Sequence, residues 1–160
     1  MNQADKSETL KVSLLGAELG ADEIQVLADQ MGVMTLHDGE TLLVEGDEHR
    51  TLLLLAAGAI QVVKVVGDTE ETIYQLRVGE CAGTRAFVDG SPRKAGLRSV
   101  GDSQVLTLEP DAFESLVETH PWLVYKVMRA LFRITHANLV RVNSETSELR
   151  NYLLKTGGRY

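Results

Sequence analysis

A short segment of this sequence combines a glycine turn with two neighbouring cations, an arrangement suited to binding an anion. Gly83 begins a predicted turn and short helix over 83–87, and the rigid Pro92 precedes Arg93 and Lys94. A glycine turn that leads into a helix directs backbone N–H groups toward an anion, and an arginine adds a forked, charge-assisted contact to a phosphate. Taken alone, Arg93 is more simply interpreted as a solvated loop arginine, so its role depends on the surrounding elements.

The elements around this turn are short runs of β-forming residues. Runs such as 41–44, 60–66 and 72–76 alternate with turn residues at regular intervals, and one of these turns, Gly67-Asp68, predicts a hairpin. Strands that are this short and this evenly spaced are typical of a sandwich or barrel and not of βαβ units. The region 33–108 is therefore predicted to be mainly β.

Helical periodicity is found on both sides of the β region. Apolar residues at helical spacing predict a short helix over 20–31, after a frayed start that extends to about Lys11. A second short helix is predicted over 111–118, and a proline in the first turn of the next helix favours a longer one, from Trp122 to at least Arg141. The weaker propensity of the following residues leaves open whether that helix continues to Leu154.

The most specific feature is the segment 79–100, GECAGTRAFVDGSPRKAGLRSV. It resembles the phosphate-binding cassette of the cyclic-nucleotide-binding domain family, which follows roughly G-E-x-F-G-E-x-A-L-L-x-x-x-P-R-x-A-S/T. Residues 39–47, GETLLVEGD, resemble the family's preceding strand and turn, and Gly58 resembles its turn before a central strand. The resemblance covers about 14–143. It implies a catabolite-activator-like effector domain, which is a double-stranded β-helix (a jelly-roll-like β-roll) with a short N-terminal helix and a long C-terminal helix.

The resemblance also implies one domain over residues 1–160, with the β-roll at about 33–108 and the C-terminal helices at about 111–154. Such a domain is a regulatory or sensor module for signal transduction, not an enzyme, and it needs no cofactor. Its ligand would be a cyclic nucleotide, cAMP or cGMP, or a related anion, and it would signal through a partner protein. Arg93 would clamp the phosphate. The implied ligand-binding residues are Gly83, Thr84, Arg85, Ala86, Arg93, Lys94 and Ala95.

The cassette departs from the family pattern at three positions. Thr84 replaces the glutamate that accepts a hydrogen bond from the ribose 2′-hydroxyl. Ala82 replaces a phenylalanine that packs beside the glycine, and Gly96 replaces a serine or threonine. The loss of a charge-assisted hydrogen bond costs about 1.5–3 kcal/mol, so the affinity for ordinary cAMP or cGMP is expected to be reduced.

These departures leave an alternative function open, in which the fold has lost its ligand and acts as a dimerisation or protein-interaction module. The two functions predict different cavities beside the cassette. Arg93 facing an open, polar cavity would favour ligand binding. A cavity filled by side chains such as Arg85 or Phe87 would favour the alternative.

The long C-terminal helix carries more apolar surface than a single packing contact requires. The stripe expected to pack on the roll comprises Val124, Val127, Leu131 and Ile134. A broader apolar flank comprises Met128, Phe132 and Leu139. Bacterial proteins of the resembling family pair such helices, so we expect a homodimer through the C-terminal helix, with Asn138 setting its register. A monomer in which both stripes cover the roll is the alternative.

A further stripe of the same helix is basic. No acidic residue lies between Glu118 and Glu145, and the stripe comprises Lys126, Arg129, Arg133 and His136. The simplest interpretation is a solvated helix face. If the stripe has a function, an acidic protein surface is a better partner than DNA.

The overall charge argues against a nucleic-acid partner. Sixteen Lys and Arg residues against 23 Asp and Glu give a net charge of −7, which repels phosphate backbones. In the resembling transcription regulators a helix-turn-helix domain follows the long helix, whereas this sequence ends at Tyr160. We therefore expect no direct DNA binding.

The remaining residues give little indication of a metal, a catalytic site or a membrane. None of the four histidines forms an H-x-H or H-E-x-x-H pair, and the single Cys81 has no Cys or His cluster around it. The first residues lack the apolar run of a signal peptide, and the longest apolar stretch, 51–60, is too short to span a bilayer. These features predict no metal site, no membrane partner and a cytoplasmic protein.

Overall fold

The computed structural model describes residues 1–156, without the side chains at positions 3, 4 and 156. The last four residues of the predicted domain lie outside the described residues. Helices flank a set of six strands, as the sequence predicts. The elements are α1 Gln3–Val12, α2 Ala21–Gln30, β1 Gly32–Leu36, β2 Thr41–Leu43, β3 Leu52–Val66, β4 Thr69–Leu76, β5 Cys81–Ala82, α3 Thr84–Asp89, β6 Gly96–Leu108, α4 Pro110–Glu114, α5 Leu116–Thr119 and α6 Pro121–Thr156.

The strands form an antiparallel sheet in the order β1-β6-β3-β4, with β2 paired to β6 and β5 paired to β3. The two longest strands, β3 and β6, pair along most of their length, and the register shifts on either side of Ala57. Gly58 lies at this irregularity within β3, and not in a turn before a strand. Its φ is +84°, and a Cβ there would overlap the carbonyl oxygen of Asp102, so only glycine fits. The mainly β roll with a short and a long flanking helical region is therefore confirmed.

The core divides into two apolar clusters, and β3 contributes to both. Leu52 and Leu54 belong to a cluster shared with the helices, whereas Leu53 and Leu55 belong to the interior of the roll. Successive side chains of a strand point to opposite faces, and here both faces are covered. This explains why four consecutive leucines are all buried.

The N-terminal residues are a helix, so the prediction of a frayed start is wrong. The Asn2 side chain accepts from the Asp5 N–H, and the Asp5 side chain accepts from the Asn2 N–H, which forms a capping box. Leu10 is fully buried in the core. The Lys6 ammonium donates to the carbonyl oxygens of Ala28 and Met31 at the end of α2, at 2.9 and 2.8 Å. The buried Leu10 and these polar contacts hold α1 in place. The segment has too few apolar residues for its helical periodicity to be recognised in the sequence.

The C-terminal helices differ from prediction in their bounds. The single helix predicted over 111–118 is two short helices that meet at Ser115, whose hydroxyl donates to the carbonyl of Ala112 at 2.7 Å. The long helix α6 begins at Pro121 and continues through Leu154, which settles the point left open by the sequence. Among the described side chains its last buried residue is Ile134, and of those that follow only Arg141 is partly covered.

Part of the basic stripe on α6 contacts acidic residues of the same chain. Lys126 Nζ lies 2.7 Å from a carboxylate oxygen of Glu23, and Glu18 pairs with both Arg129 and Arg133. Arg129 and Arg133 remain solvent-exposed, as expected, and the structure adds their pairing with Glu18. The connection between α1 and α2 packs beside α6 and brings Glu18 to it.

Candidate ligand-binding site

A cavity of about 700 Å³ lies between the roll and α6, beside the predicted cassette. All the predicted ligand-binding residues line it: Gly83, Thr84, Arg85, Ala86, Arg93, Lys94 and Ala95. Neither of the side chains that could have filled it does so. Phe87 is buried in the core against Phe113, with ring centroids 5.4 Å apart, and the exposed Arg85 side chain lies 3.5 Å from Asp89. The cavity is therefore not filled by either side chain, but most of its lining is apolar and not polar.

Gly83 and Arg93 pack directly against each other at the base of this cavity. Gly83 separates β5 from α3 with φ +81°, in the left-handed region that favours glycine. A Cβ at this position would overlap the Nη1 atom of Arg93. The glycine is therefore required both by its backbone conformation and by the approach of the guanidinium.

The Arg93 side chain is buried, with 5% of its surface exposed, so the alternative of a solvated loop arginine is wrong. Its backbone is held by the turn of the GETLLVEGD segment: the Arg93 N–H donates to Asp47 O and the Gly46 N–H donates to Arg93 O, both at 2.8 Å. Nη2 donates to the carbonyl of Thr51 at 2.5 Å. Nε and Nη1 are buried and make no hydrogen bond within the described part of the chain.

The electrostatic state of Arg93 follows from this burial. Loss of solvent lowers the pKa of the guanidinium, and the charges of Asp47 and Glu109 act in the opposite direction. An arginine nevertheless remains protonated in proteins. A buried cation with two unpartnered N–H groups is costly, because such groups normally have hydrogen-bond acceptors. The arrangement is suited to an anion with two acceptor oxygens.

Each of the three residues that depart from the family pattern has specific surroundings in the structure. Thr84 is buried, and its Oγ1 lies 3.0 Å from Oγ1 of Thr135, which joins α3 to α6. A Cβ on Gly96 would lie 3.0 Å from Val63 Cγ2 and 3.1 Å from the carbonyl of Leu43, so a larger residue requires a shift of β2 or β3. Ala82 packs against the apolar interior of the roll.

A cluster of polar side chains around Tyr74, in the lining of the cavity, was not predicted from the sequence. The Tyr74 hydroxyl donates to the Glu80 carboxylate, at 2.8 and 2.9 Å from its two oxygens, and the Arg77 N–H donates to the same carboxylate at 2.9 Å. Arg141 of α6 lies over the Tyr74 ring, 3.7 Å from its centroid. Burial and the hydrogen bond to Glu80 raise the pKa of Tyr74. The sequence features from which this cluster could have been predicted are the alternating residues of β4 and the acidic Glu80 after Gly79.

Other parts of the described chain offer little further chemistry. Among residues 1–156, no group of three or more His, Cys, Asp or Glu side chains is arranged to hold a metal ion. Cys81 is buried in the core, and burial raises the pKa of its thiol to about 12. No described helix is long and apolar enough to cross a bilayer.

Comparison with known proteins identifies the same region. The family model of the cyclic nucleotide-binding domain matches residues 33–120, more than half of the chain. The chain is 24% identical over 125 residues to the cyclic AMP receptor protein of Thermus thermophilus. It is 28% identical over 91 residues to the regulatory subunit of a cAMP-dependent protein kinase from Colletotrichum orbiculare. These matches cover 78% and 57% of this chain, but only 58% and 23% of the two relatives.

Solved structures have the same fold. A cyclic nucleotide-binding domain from Methylobacillus flagellatus is similar with a TM-score of 0.79 and 24% identity, over 89% of this chain and 81% of that one. The catabolite activator protein of Thermus thermophilus is similar with a TM-score of 0.70 and 26% identity, over 91% and 72%. The regulatory domain of Toxoplasma gondii PKA, solved with cAMP, is similar with a TM-score of 0.64 and 21% identity, over 71% and 43%.

Proposed function

This chain belongs to the cyclic nucleotide-binding domain family, and we propose that it binds a cyclic nucleotide, cAMP or cGMP, between its cassette and α6. The observation that carries the proposal is the buried guanidinium of Arg93, whose Nε and Nη1 atoms have no partner among the described residues. A cyclic phosphodiester carries one negative charge and two unesterified oxygens. It supplies the acceptors that these two N–H groups require.

The other predicted site residues have supporting roles in this proposal. Thr84, Arg85 and Ala86, at the start of α3, line the same cavity as Arg93. Gly83 lets the guanidinium approach this end. Lys94 adds a second cation that lines the cavity, Ala95 contributes backbone, and Arg85 contributes charge at its mouth.

The protein would act by binding and not by catalysis. The relatives named above are a receptor protein and a kinase regulatory subunit, which supports a regulatory role in signal transduction. The output would pass to a partner protein in the cytoplasm, without direct contact to DNA or membrane. The net charge of −7 supports the proposal of no nucleic-acid partner.

We also propose that the chain forms a homodimer through α6. Phe132, Leu139, Val142 and Leu149 are exposed along one line of this helix, separated by alternating steps of seven, three and seven residues. This spacing is that of the a and d positions of a coiled coil. The exposed fraction of Phe132 is 73%, so its ring is accessible to a second copy of the chain.

The exposed line on α6 also favours the alternative function, in which the fold serves only for dimerisation or protein interaction. The two functions differ in whether the cavity binds a nucleotide. Isothermal titration of the protein with cAMP and with cGMP distinguishes them. We expect saturable binding that Arg93→Ala abolishes. The control variant Arg98→Ala removes a surface arginine paired with Glu70 and should leave binding unchanged.

The absence of heat up to millimolar nucleotide, from protein that is folded by circular dichroism, would contradict the ligand-binding function. Equal binding by Arg93→Ala and the wild-type protein would contradict the role of Arg93. A thermal unfolding curve of each variant establishes that a loss of binding is not a loss of fold.

A further inference from the structure

We propose that Arg50 is a positioning residue of the ligand site, which holds α3 where the first residues of that helix line the cavity beside Arg93. The inference rests on the proposed function and names a further residue on which the affinity of the same site depends. Among the described residues, Arg50 is not part of the cavity lining. Its effect on a ligand is therefore exerted through α3.

The helix α3 is too short to hold its own position. It has six residues, whereas isolated helices of fewer than about 12–15 residues are marginal in water. Contacts with other elements therefore have to fix its place. The Phe87 ring packs on Phe113 in the core, and the Thr84 hydroxyl joins the first turn to Thr135 of α6. The carbonyl end of the helix needs a contact of its own.

Arg50 supplies the contact at the carbonyl end of α3. Its Nε donates to the carbonyl of Ala86 at 3.4 Å, and its Nη2 donates to the carbonyl of Phe87 at 3.2 Å. The side chain also lies against the turn that ends the helix, because a Cβ on Gly90 would be 3.5 Å from Nε of Arg50. The carbonyl end of a helix carries partial negative charge, so a cation there is favourable. The rigid fork of a guanidinium contacts two carbonyls at once.

The loop that carries Arg50 also holds Arg93, so α3 and the guanidinium are fixed to the same piece of backbone. The carbonyl of Thr51, the next residue, accepts from Nη2 of Arg93 at 2.5 Å. The carbonyl of Asp47 accepts from the Arg93 N–H at 2.8 Å. The adjacent residues Arg50 and Thr51 thus connect the two parts of the cassette. Since α3 is only about 9 Å long, a displacement of its last turn also moves the residues that line the cavity.

A positive charge near an anion site also raises affinity without any positioning, and two substitutions separate these effects. Arg50→Met keeps most of the apolar stem and removes both the charge and the donors. Arg50→Lys keeps the charge and removes the fork. Arg98→Met is the matched control, since it removes an arginine of β6 and its ion pair with Glu70, away from the cassette helix.

The experiment measures the affinity of the full chain for cAMP and cGMP by titration calorimetry, and amide hydrogen exchange in the ligand-free protein. We expect Arg50→Met to weaken binding about fivefold or more, because the arrangement that binds the ligand is then less populated. The amides of Phe87 and Gly90 donate to carbonyls four residues earlier and should exchange about tenfold faster in this variant, which corresponds to one lost charge-assisted bond. Arg50→Lys should bind about threefold more weakly than the wild type or worse, because one ammonium does not reproduce the fork. Arg98→Met should match the wild type in both measurements.

The outcomes separate this inference from the proposed function. A dissociation constant of Arg50→Met within about twofold of the wild type would overturn the inference, because a merely structural contact changes stability and not the affinity of the folded protein. Full recovery by Arg50→Lys would overturn it as well, since the charge alone would then explain the effect. If the folded wild type binds neither nucleotide at millimolar concentration, the proposed function fails. The exchange rates of Phe87 and Gly90 then still show whether Arg50 holds α3, and unchanged rates in Arg50→Met would overturn that role. If Arg50→Met does not fold, Arg50→Lys decides the question by both measurements.

Discussion

Arg93 and Gly83 occupy adjoining space, because the Nη1 atom of the arginine lies where a Cβ on the glycine would be. The two residues lie within the cassette, ten positions apart in sequence. Their contact connects the turn before α3 with the loop before β6. Since Gly83 also has φ +81°, this single position determines both the backbone of the cassette and the place of its cation.

Gly83→Ala is therefore expected to weaken nucleotide binding by more than tenfold. The added methyl group has to displace the guanidinium, in addition to the strain of a left-handed backbone, which costs about 1–2 kcal/mol. Gly39→Ala is the matched control, because Gly39 has φ +75° with no atom within 4 Å of the added Cβ. Titration calorimetry and urea unfolding of both variants measure the two effects. Equal losses of affinity in the two variants would contradict the contact with Arg93.

Arg93→Met should abolish nucleotide binding while raising the stability of the ligand-free protein by about 1 kcal/mol. Replacement of a buried, incompletely paired cation by an apolar residue of similar length removes a desolvation cost. The measurement is the free energy of unfolding in urea, in a buffer without phosphate or sulfate. A loss of more than about 2 kcal/mol would mean that the bond from Nη2 to the Thr51 carbonyl outweighs the burial of the charge.

The pairing of Glu18 with Arg133 and Arg129 predicts a pH-dependent contribution to stability. Hydrogen bonds from these arginines lower the pKa of Glu18 below its ordinary value of 4.5. A lowered pKa in the folded state contributes stability that is present above pH 4.5 and is lost as the pH falls through the folded-state pKa. Glu18→Gln should therefore lower the melting temperature at pH 7, and by a smaller amount at pH 3.

The matched control for this prediction is Glu114→Gln, at an exposed glutamate on α4. It should leave the melting temperature unchanged at both pH values. Since the Glu18 pairs are solvent-exposed, the difference at pH 7 should also shrink in 1 M salt. An effect of Glu18→Gln that is equally large at pH 7 and at pH 3 would show that packing, and not charge, is responsible.

The proposed dimer is tested by charge on the exposed line of α6. Phe132→Glu and Leu139→Glu should each shift the protein from dimer to monomer, because they place like charges opposite each other in a paired helix. Trp122→Glu is the control, since Trp122 is equally exposed but lies at the start of α6, outside that line. Sedimentation equilibrium measures the mass. A monomeric wild-type protein at 100 µM would contradict the proposal.

The cassette and the β-roll were predictable from the sequence, because glycines, prolines and alternating apolar residues impose local backbone geometry. The helical structure of α1 was not predictable, because a capping box and the hydrogen bonds of Lys6 to α2 leave no periodic pattern in the sequence. The pairing of Glu18 with α6 joins residues more than 100 positions apart, which no local pattern encodes. For the same reason the contact of Tyr74 with Arg141 was missed, although each lies in a correctly predicted element.

The central claim is that the guanidinium of Arg93 binds the cyclic phosphate, and the Nε–H resonance of this residue tests it most directly. In the ligand-free protein this N–H has no acceptor within the described chain. We expect its proton resonance to move downfield and to saturate as cAMP is added, while neutral adenosine at the same concentration leaves it unchanged. An unmoved resonance at millimolar cAMP, or an equal shift with adenosine, would contradict the claim.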